Sequence, residues 1–320
     1  MAAYVVRRLL YGVGVVLGVL FLLFVLFFTV TEPDDIARKA LGDKVPPAVI
    51  EQWKANHGYD RPLWPWQDWD DNLLFDHYRR MLTFDFGKSD ADDSPILDRI
   101  LDGIGPSLSL TVPLLLLSLL AAIPFSLLVA FFRETYIDRM GVFLCVLAMS
   151  VSMLLYIIGA QFLIGKVLRW YPISGFDPDP TMIWRFLALP LIVGVLGSIG
   201  GDVRFYRTVF LEESSRDFVR TARAKGASEA RIMVRHVLRN AMIPILTQVV
   251  LSIPFLFTGS ILLESFFGIP GLGSLTVDAI QGNDFSTLRT MVYIGSLLFI
   301  VGQIATDLSY GLVDPRVRFE

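Results

Sequence analysis

Apolar residues are grouped along this chain into six long stretches separated by polar segments. The stretches cover roughly residues 8–30, 107–131, 140–165, 185–208, 241–263 and 290–312. About 20 apolar residues suffice for a helix to cross the hydrocarbon core of a bilayer, and every stretch meets that length. The pattern predicts an all-α integral membrane protein with six transmembrane helices.

Composition supports a membrane protein. Of the 320 residues, 54% are hydrophobic and 18% are charged, against about 25% charged in soluble domains. The first stretch, Leu9–Val30, follows Arg7 and Arg8, but it exceeds a cleavable signal in length and no cleavage site follows it. The second stretch carries Pro113 and Pro124, which a membrane helix tolerates where neighbouring helices satisfy the freed carbonyls. We therefore expect a packed bundle.

Basic residues predict the orientation of the bundle. The segment 204–240 holds nine Arg and Lys against four Asp and Glu. With six spans, this segment lies on one side together with Arg7, Arg8, Arg133, Arg139, Arg316 and Arg318. The positive-inside rule makes that side the cytoplasm. Both termini are then cytoplasmic, and the protein is a multi-pass protein of the cytoplasmic (inner) membrane.

Residues 31–106 form an acidic insertion on the opposite, external side, with 16 Asp and Glu against nine Lys and Arg. The insertion contains four of the six tryptophans, whereas disordered segments are poor in aromatic residues. We expect it to fold. The predicted division is a first helix at 1–30, the insertion at 31–106, a core of five spans at 107–312 that includes a cytoplasmic loop at 209–240, and a cytoplasmic tail at 313–320.

The cytoplasmic loop carries the most specific pattern. Residues 216–225 contain good helix formers, and Gly226 suits the left-handed position after a helix. Ser228 is a candidate N-cap of a second helix, on which Arg231, Arg235 and Arg239 recur on one face. Two helices joined at a glycine indicate a docking surface for a partner. The alternative is a basic loop that only contacts anionic lipid.

Several motifs together identify a family resemblance. The stretch Asp217-Phe-Val-Arg-Thr-Ala-Arg-Ala-Lys-Gly226 precedes Arg235-His-Val-Leu-Arg-Asn240. The outlying matches are His57-Gly58-Tyr-Asp60-Arg-Pro62, Phe84-Asp85-Phe-Gly87-Lys-Ser89, Glu264-Ser-Phe-Phe-Gly-Ile-Pro270-Gly271-Leu272-Gly273 and Asp307-Leu-Ser-Tyr-Gly-Leu-Val-Asp314-Pro315-Arg316. From end to end the chain resembles the ABC importer permeases of the dipeptide/oligopeptide/nickel family, as the first permease of the pair. Phe257-Thr258-Gly259-Ser260 and Phe319-Glu320 resemble the subgroup that imports peptides and peptide-like antibiotics.

The resemblance implies a type I ABC importer permease fold and a set of partners. These are a second homologous permease, two ATPase subunits inside and a solute-binding protein outside. ATPase docking would involve Asp217, Phe218, Arg220, Thr221, Ala222, Arg223, Lys225, Gly226, Arg235, His236 and Asn240. The implied cargo is oligopeptides or dipeptides, with nickel, glutathione-like molecules and oligosaccharides as alternatives.

The sequence departs from the family pattern at three places. The glutamate of the general loop motif falls at Arg220, and its Leu-Pro falls at Leu238-Arg239. Many relatives have Ser-x-Pro in the third span, whereas this chain has Ser152-Met153. A kink at this place should therefore not be assumed.

Catalytic chemistry is absent from the sequence. Gly87-Lys88-Ser89 lacks the glycine five residues earlier that a phosphate-binding loop requires, because Leu82 stands there. ATP and Mg²⁺ are thus expected on partner subunits, with no cofactor on this chain, which is not itself an enzyme. The scattered His57, His77 and His236 predict no metal site, and the net charge of −3 suggests no nucleic-acid partner.

Polar residues within the spans are costly and mark candidate path or gate positions. Among them are Gln161, Gln248 and Glu264. By the resemblance, Pro270, Gly271 and Gly273 after the fifth span would form a loop near the external gate, and the alternative is an ordinary turn. For the glutamines, the alternative to lining a substrate path is hydrogen bonding between helices. Two other classes of protein stay open: an ion-coupled secondary transporter, and a membrane scaffold or sensor that recruits a cytoplasmic partner.

Overall fold

The computed structural model describes residues 2–30, 33–42, 45–69 and 71–313, with side chains except those of residues 2–6, 40, 257 and 307–313. Across this described part the chain is helical, and an isolated bridge pairs Lys88 with Pro95. Outside it lie the side chains of Phe257 and Asp307, the predicted tail beyond residue 313, the motif Asp314-Pro315-Arg316, Arg318 and Phe319-Glu320.

The helices follow one another with short connections. In chain order they are α1 (Ala2–Phe24), α2 (Pro33–Leu41), α3 (Pro47–His57), α4 (Leu73–Leu82), α5 (Ile96–Phe131), α6 (Tyr136–Ser150), α7 (Met153–Ala160), α8 (Ile183–Ser214), α9 (Asp217–Ala224), α10 (Glu229–Arg231), α11 (Leu238–Thr258), α12 (Ile261–Phe267), α13 (Leu272–Gln281) and α14 (Phe285–Val313). Three π-helical segments, Val25–Val30, Gln161–Val167 and Ile232–Val237, continue neighbouring α-helices.

Five of these helical stretches are long and apolar enough to cross a membrane, namely those of α1, α5, α8, α11 and α14. The predicted span at 140–165 corresponds to α6 and α7, which meet at 86°. A second bent pair, α12 and α13, meets at 79° and contains the Gly-rich motif that follows the predicted fifth span. An all-helical membrane fold with about six spans is confirmed.

The chain is sharply bent at Ser152-Met153, where the sequence departs from the Ser-x-Pro of many relatives and a kink was not to be assumed. The helix breaks at Val151 and Ser152, whose backbones are both extended. The Ser152 hydroxyl then accepts a hydrogen bond from the Leu154 N–H at 3.3 Å and starts α7. The Tyr156 hydroxyl donates to the Ala148 carbonyl across the break at 3.0 Å. Serine capping therefore produces a sharp bend without proline.

Close packing in the core depends on a stripe of glycines on α8. A Cβ at Gly194 would collide with Leu114 of α5, one at Gly197 with Met153 of α7, and one at Gly200 with the Cys145 carbonyl of α6. The spacing of three residues places these glycines on one side of the helix. Such small residues let membrane helices approach closely, so α8 packs tightly against α5, α6 and α7.

The insertion, residues 31–106, contributes α2, α3, α4 and the loop that leads into α5. Trp53 stacks on His57 and Tyr59, with ring centroids 4.1 and 5.5 Å apart. His77 Nε2 and the Tyr78 hydroxyl contact the carbonyls of Leu20 and Leu17 at 3.1 and 2.9 Å, which fixes α4 against α1. Helix α5 begins at Ile96, inside the range predicted for the insertion.

Candidate functional site

The helical turn, residues 217–240, contains the predicted pair of helices joined at a glycine. Helix α9 ends at Ala224, and Gly226 has φ +82°. Two backbone hydrogen bonds close the turn, from Gly226 N–H to the Arg223 carbonyl at 3.0 Å and from Ala227 N–H to the Ala222 carbonyl at 3.2 Å. Because φ is positive, the position favours glycine, as the sequence pattern required.

Helix α9 has a buried face and an exposed face. Val219 and Ala222 are buried against Ile232, Met233 and Val237. The exposed residues of the helix and turn are Asp217, Arg220, Thr221, Arg223, Lys225 and Gly226, while Phe218 is half-buried. Ala222 therefore supports the helix from beneath, and the remaining predicted docking residues form its outer surface.

The second half of the helical turn is continuous with α11. Ser228 has the extended backbone of an N-cap, but its hydroxyl makes no capping hydrogen bond. Arg231, Arg235 and Arg239 are exposed, as is Asn240, and His236 is half-buried. The π-helical segment Ile232–Val237 was not predicted, because its sequence has no breaker or other mark that distinguishes it from an α-helix.

An ion pair spans the glycine turn and connects α9 to α10. The Arg223 guanidinium donates to both carboxylate oxygens of Glu229, at 2.6 and 2.9 Å. This pair lines a cleft of about 390 Å³ together with Arg133 and Arg220. Such two-point pairing fixes orientation better than a single contact does, so the pair holds the two helices in register.

Exchanging the two charges tests this ion pair. We expect Arg223→Glu to lower transport, because two carboxylates then face each other across the turn. The double variant Arg223→Glu with Glu229→Arg should recover most of the loss, since the pair is restored in reverse. Initial uptake rates measure both effects. Equal loss in the single and double variants would show that Arg223 acts on something other than Glu229.

A buried carboxylate organises the second bent pair. Glu264 is fully buried, and its Oε1 accepts hydrogen bonds from Ser260 N–H and the Ser107 hydroxyl, both at 2.9 Å. Its Oε2 accepts from Gly273 N–H at 2.7 Å and Ser274 N–H at 3.3 Å. We call these five residues the glutamate knot. It ties the start of α12, the start of α13 and α5 together.

Gly271 and Gly273 lie so close to neighbouring groups in the glutamate knot that no larger residue fits at either position. A Cβ at Gly271 would collide with Glu264 and Ser107, and one at Gly273 would collide with the backbone of Ser260 and Ile261. Both glycines are buried, whereas Pro270 is exposed. The Ser107 hydroxyl also accepts from Leu272 N–H at 2.7 Å. Sequence reasoning missed the role of Ser107, because a lone serine in an apolar helix is common.

The two glutamines in the spans have different environments. Gln161 Nε2 donates to the carbonyls of Phe266 at 2.8 Å and Ile173 at 3.1 Å, so it connects three separate segments. Gln248 is exposed on α11 and has no hydrogen-bond partner among the described residues. Interhelical bonding accounts for Gln161, while Gln248 is placed on an open face of the bundle.

A carboxylate network joins the insertion to the start of α14. Asp90 accepts from Ser286 N–H and Oγ at 2.7 and 2.9 Å, and Asp284 accepts from Ser89 Oγ at 2.6 Å and Thr287 N–H at 3.0 Å. Burial raises the pKa of Asp90. Sequence reasoning missed this junction, although Asp284 before Phe285 fits the preference for aspartate at a helix N-cap.

His57 and His77 both line the cavity beside this junction. His57 Nδ1 contacts the Trp53 carbonyl at 2.9 Å, and its Nε2 lies 3.6 Å from Asp93. Among the described residues, no group of three His, Cys, Asp or Glu side chains could hold a metal ion. The histidines are therefore placed by packing and by hydrogen bonds to the backbone and to one carboxylate.

The buried imidazole of His77 makes stability sensitive to acid. Burial, assisted by the nearby Arg289 charge, lowers the pKa of His77 to about 3. Between pH about 6.5 and 3 the unfolded chain thus binds a proton that the folded chain does not, so stability falls as the pH falls, by up to about 1.4 kcal/mol per pH unit. Between neutral pH and pH about 5, the melting temperature of the His77→Phe variant should fall less than that of the wild type. Equal losses would show that His77 does not set this sensitivity.

The bundle and the helical turn define a multi-pass transport component of the inner membrane, and sequence comparisons assign the family. Residues 122–319 match the family described as binding-protein-dependent transport system inner membrane component, and residues 1–111 match its N-terminal counterpart. The chain belongs to this family of ABC importer permeases.

Its curated relatives are similar over their whole length. The chain is 32% identical to the glutathione transport system permease protein GsiC of Salmonella typhimurium and 33% identical to the protein of that name in Shigella flexneri. It is 30% identical to a putative peptide transport system permease protein of Brucella abortus. Each match covers 100% of both chains. The relatives are transport components, not enzymes.

Proposed function

We propose that this chain forms one membrane half of an ATP-driven importer and that α9 with Gly226 docks on an ATPase subunit. The second half would be a similar permease, with two ATPase subunits on the cytoplasmic side and a solute-binding protein outside. ATP and Mg²⁺ would be bound by the ATPase subunits. The amino and carboxyl termini and the helical turn would then share the cytoplasmic side.

The observation that carries this proposal is the shape of the helical turn. Helix α9 is anchored by Val219 and Ala222, and no element of the described part of the chain covers its outer face. A basic loop that only contacted lipid would need neither the left-handed glycine nor the ion pair between Arg223 and Glu229. A fixed, exposed and charged helix suits a groove of complementary charge on a partner.

The glutamate knot is proposed as the fixed point of an external gate. The bent pair α12 and α13 is attached to α5 through Ser107 and to the 173–175 loop through Gln161 and the hydrogen bond from Gly175 N–H to the Phe267 carbonyl at 2.7 Å. A movement of α5 would thus be transmitted to the whole pair. Alternating access requires such a rigid element near one mouth of the pathway.

The proposed cargo is a small peptide. The relatives are named for glutathione and for peptide transport, and glutathione is itself a tripeptide, so both names indicate one chemical class. The exposed Gln248 on α11 would offer an uncharged hydrogen-bonding group to a peptide backbone in the pathway.

Purification of the tagged chain from its native cell in mild detergent tests the proposed assembly. We expect mass spectrometry to identify a second permease and ATPase subunits, and a tagged Gly226→Val chain to retain the permease and lose the ATPases. Recovery of the chain alone, active in liposomes under an ion gradient, would instead indicate a secondary transporter. Recovery with a cytoplasmic protein that lacks ATPase motifs would indicate a scaffold.

A further inference from the structure

A polar cavity of about 610 Å³ lies between the insertion and α14. Its wall combines the end of α3, helix α4, the loop 85–93 and two residues of α14, Ser286 and Arg289. Ligand sites are concave and of this general size, about 300–1,000 Å³. The cavity lies outside the helical turn and the glutamate knot, so neither part of the proposed function uses it.

Two buried polar atoms in the cavity wall have no hydrogen-bond partner, and they are of opposite type. They are His77 Nδ1 and Arg289 Nε. His77 Nε2 lies 3.1 Å from the Leu20 carbonyl, which can only accept, so Nε2 carries the proton and Nδ1 is left as an acceptor. Arg289 Nε is a donor. An occupant that offers both an acceptor and a donor would satisfy the two atoms.

Both side chains are held rigidly by one aromatic ring. The Arg289 guanidinium lies over Phe28, 4.7 Å from the ring centroid. The His77 ring packs edge-on against the same Phe28 at 5.9 Å, and only 4% of His77 is exposed. Packing against Phe28 therefore holds both side chains in place without an occupant, which lowers the entropy cost of binding one.

Charge pairing in the wall leaves both signs available. Asp76 pairs with Arg80 at 2.8 Å and lies 3.6 Å from Arg61, while Asp93 lies 3.6 Å from His57. Four charged residues of the wall make no ion pair among the described residues: Asp85, Lys88, Asp90 and Arg289. Asp90 is taken up by hydrogen bonds with Tyr59 and Ser286. The other three keep charges of both signs available to an occupant that carries both charges.

We propose that this cavity binds a small zwitterion of the amino acid or dipeptide class. Its carboxylate would accept from Arg289 Nε, and an N–H group would donate to His77 Nδ1. Lys88 and Asp85 are exposed at the mouth and would face the remaining charges. The inference does not depend on the cargo of the importer, since the cavity lies where the insertion meets Phe28 and α14 and includes none of the residues of the helical turn or the glutamate knot.

Calorimetry on the full-length chain in lipid nanodiscs tests the proposal. The probe is L-alanyl-L-alanine, and the matched control is N-acetyl-L-alanyl-L-alanine amide, which keeps the backbone but lacks both charges. We expect saturable binding of the free dipeptide and none of the blocked one. Binding of both peptides with equal affinity, or of neither, would overturn the proposal.

Two variants localise the binding to the cavity. Arg289→Lys keeps the charge but removes the Nε donor, and His77→Phe keeps the aromatic packing but removes the acceptor. Each should weaken dipeptide binding about tenfold or more. Arg38→Gln, which removes a charge from the exposed part of α2, should leave it unchanged. Unaltered binding in Arg289→Lys would overturn the assignment, as would a density map of the dipeptide-soaked chain with only water molecules beside His77 and Arg289.

Discussion

Replacing Gly226 with valine should reduce ATP-dependent uptake about tenfold or more while the chain still inserts in the membrane. Gly226 has φ +82°, a conformation that costs an ordinary L-residue about 1–2 kcal/mol and a β-branched residue more. No neighbouring atom lies within 4 Å of a Cβ built at this position. The penalty therefore comes from the backbone alone. We expect the turn of the variant to relieve it by breaking the hydrogen bond from Ala227 N–H to the Ala222 carbonyl, which would move α9.

The matched control for this prediction is Gly226→Asn. Asparagine has a Cβ and a polar side chain like many surface residues, yet it adopts the left-handed conformation readily. We expect Gly226→Asn to keep most of the uptake rate. The measurement is the initial rate of peptide uptake per copy of the chain in the membrane. Similar rates for the valine and asparagine variants would refute the role of backbone conformation.

The second large effect is expected from Glu264→Gln, which preserves the shape of the side chain and removes its charge. The carboxylate accepts four hydrogen bonds, from Ser107, Ser260, Gly273 and Ser274. In either orientation, the NH₂ group of the glutamine amide would face hydrogen-bond donors. One of the two positions that the carboxylate oxygens occupy would therefore lose its hydrogen bonds. Each buried group left unsatisfied costs about 1–3 kcal/mol. We expect a lower melting temperature and loss of most uptake.

The same substitution at Glu51, an exposed residue on α3, serves as the control and should change neither property. A second route to the same loss is Gly271→Ala, since the added Cβ would collide with Glu264 and Ser107. Thermal unfolding in detergent and uptake in cells measure the two effects. A Glu264→Gln chain with unchanged melting temperature would show that the glutamate knot does not hold the bent pair.

Local features of the fold followed from the sequence. Six spans were predicted from the apolar stretches, because the length of an apolar run directly limits what can cross a bilayer. Five of them are long helices and the third, at 140–165, is a bent pair. The left-handed backbone of Gly226 was predicted because glycine directly after a helix favours that conformation. This preference can be read from the local sequence. Even there, the sequence left the direction of each side chain open, and Ala222 proved to be buried rather than exposed.

Features that depend on distant contacts could not be predicted. Ser107 and Glu264 are 157 positions apart, and no local pattern indicates that the hydroxyl and the carboxylate meet. The same is true of Asp90 and Ser286, which join the insertion to α14. The bend at Ser152 was left open for a different reason: the sequence lacks the proline that would indicate a kink, and the break at an extended valine and a capping serine has no such local mark.

The most direct test of the account is uptake by proteoliposomes that contain the chain with its second permease and ATPase subunits. The assay follows a labelled dipeptide, supplied with the solute-binding protein outside and ATP inside. We predict uptake that requires ATP hydrolysis, ignores an imposed proton or sodium gradient and falls sharply when Gly226 is valine. Uptake driven by an ion gradient through this chain alone, without ATP, would contradict the account.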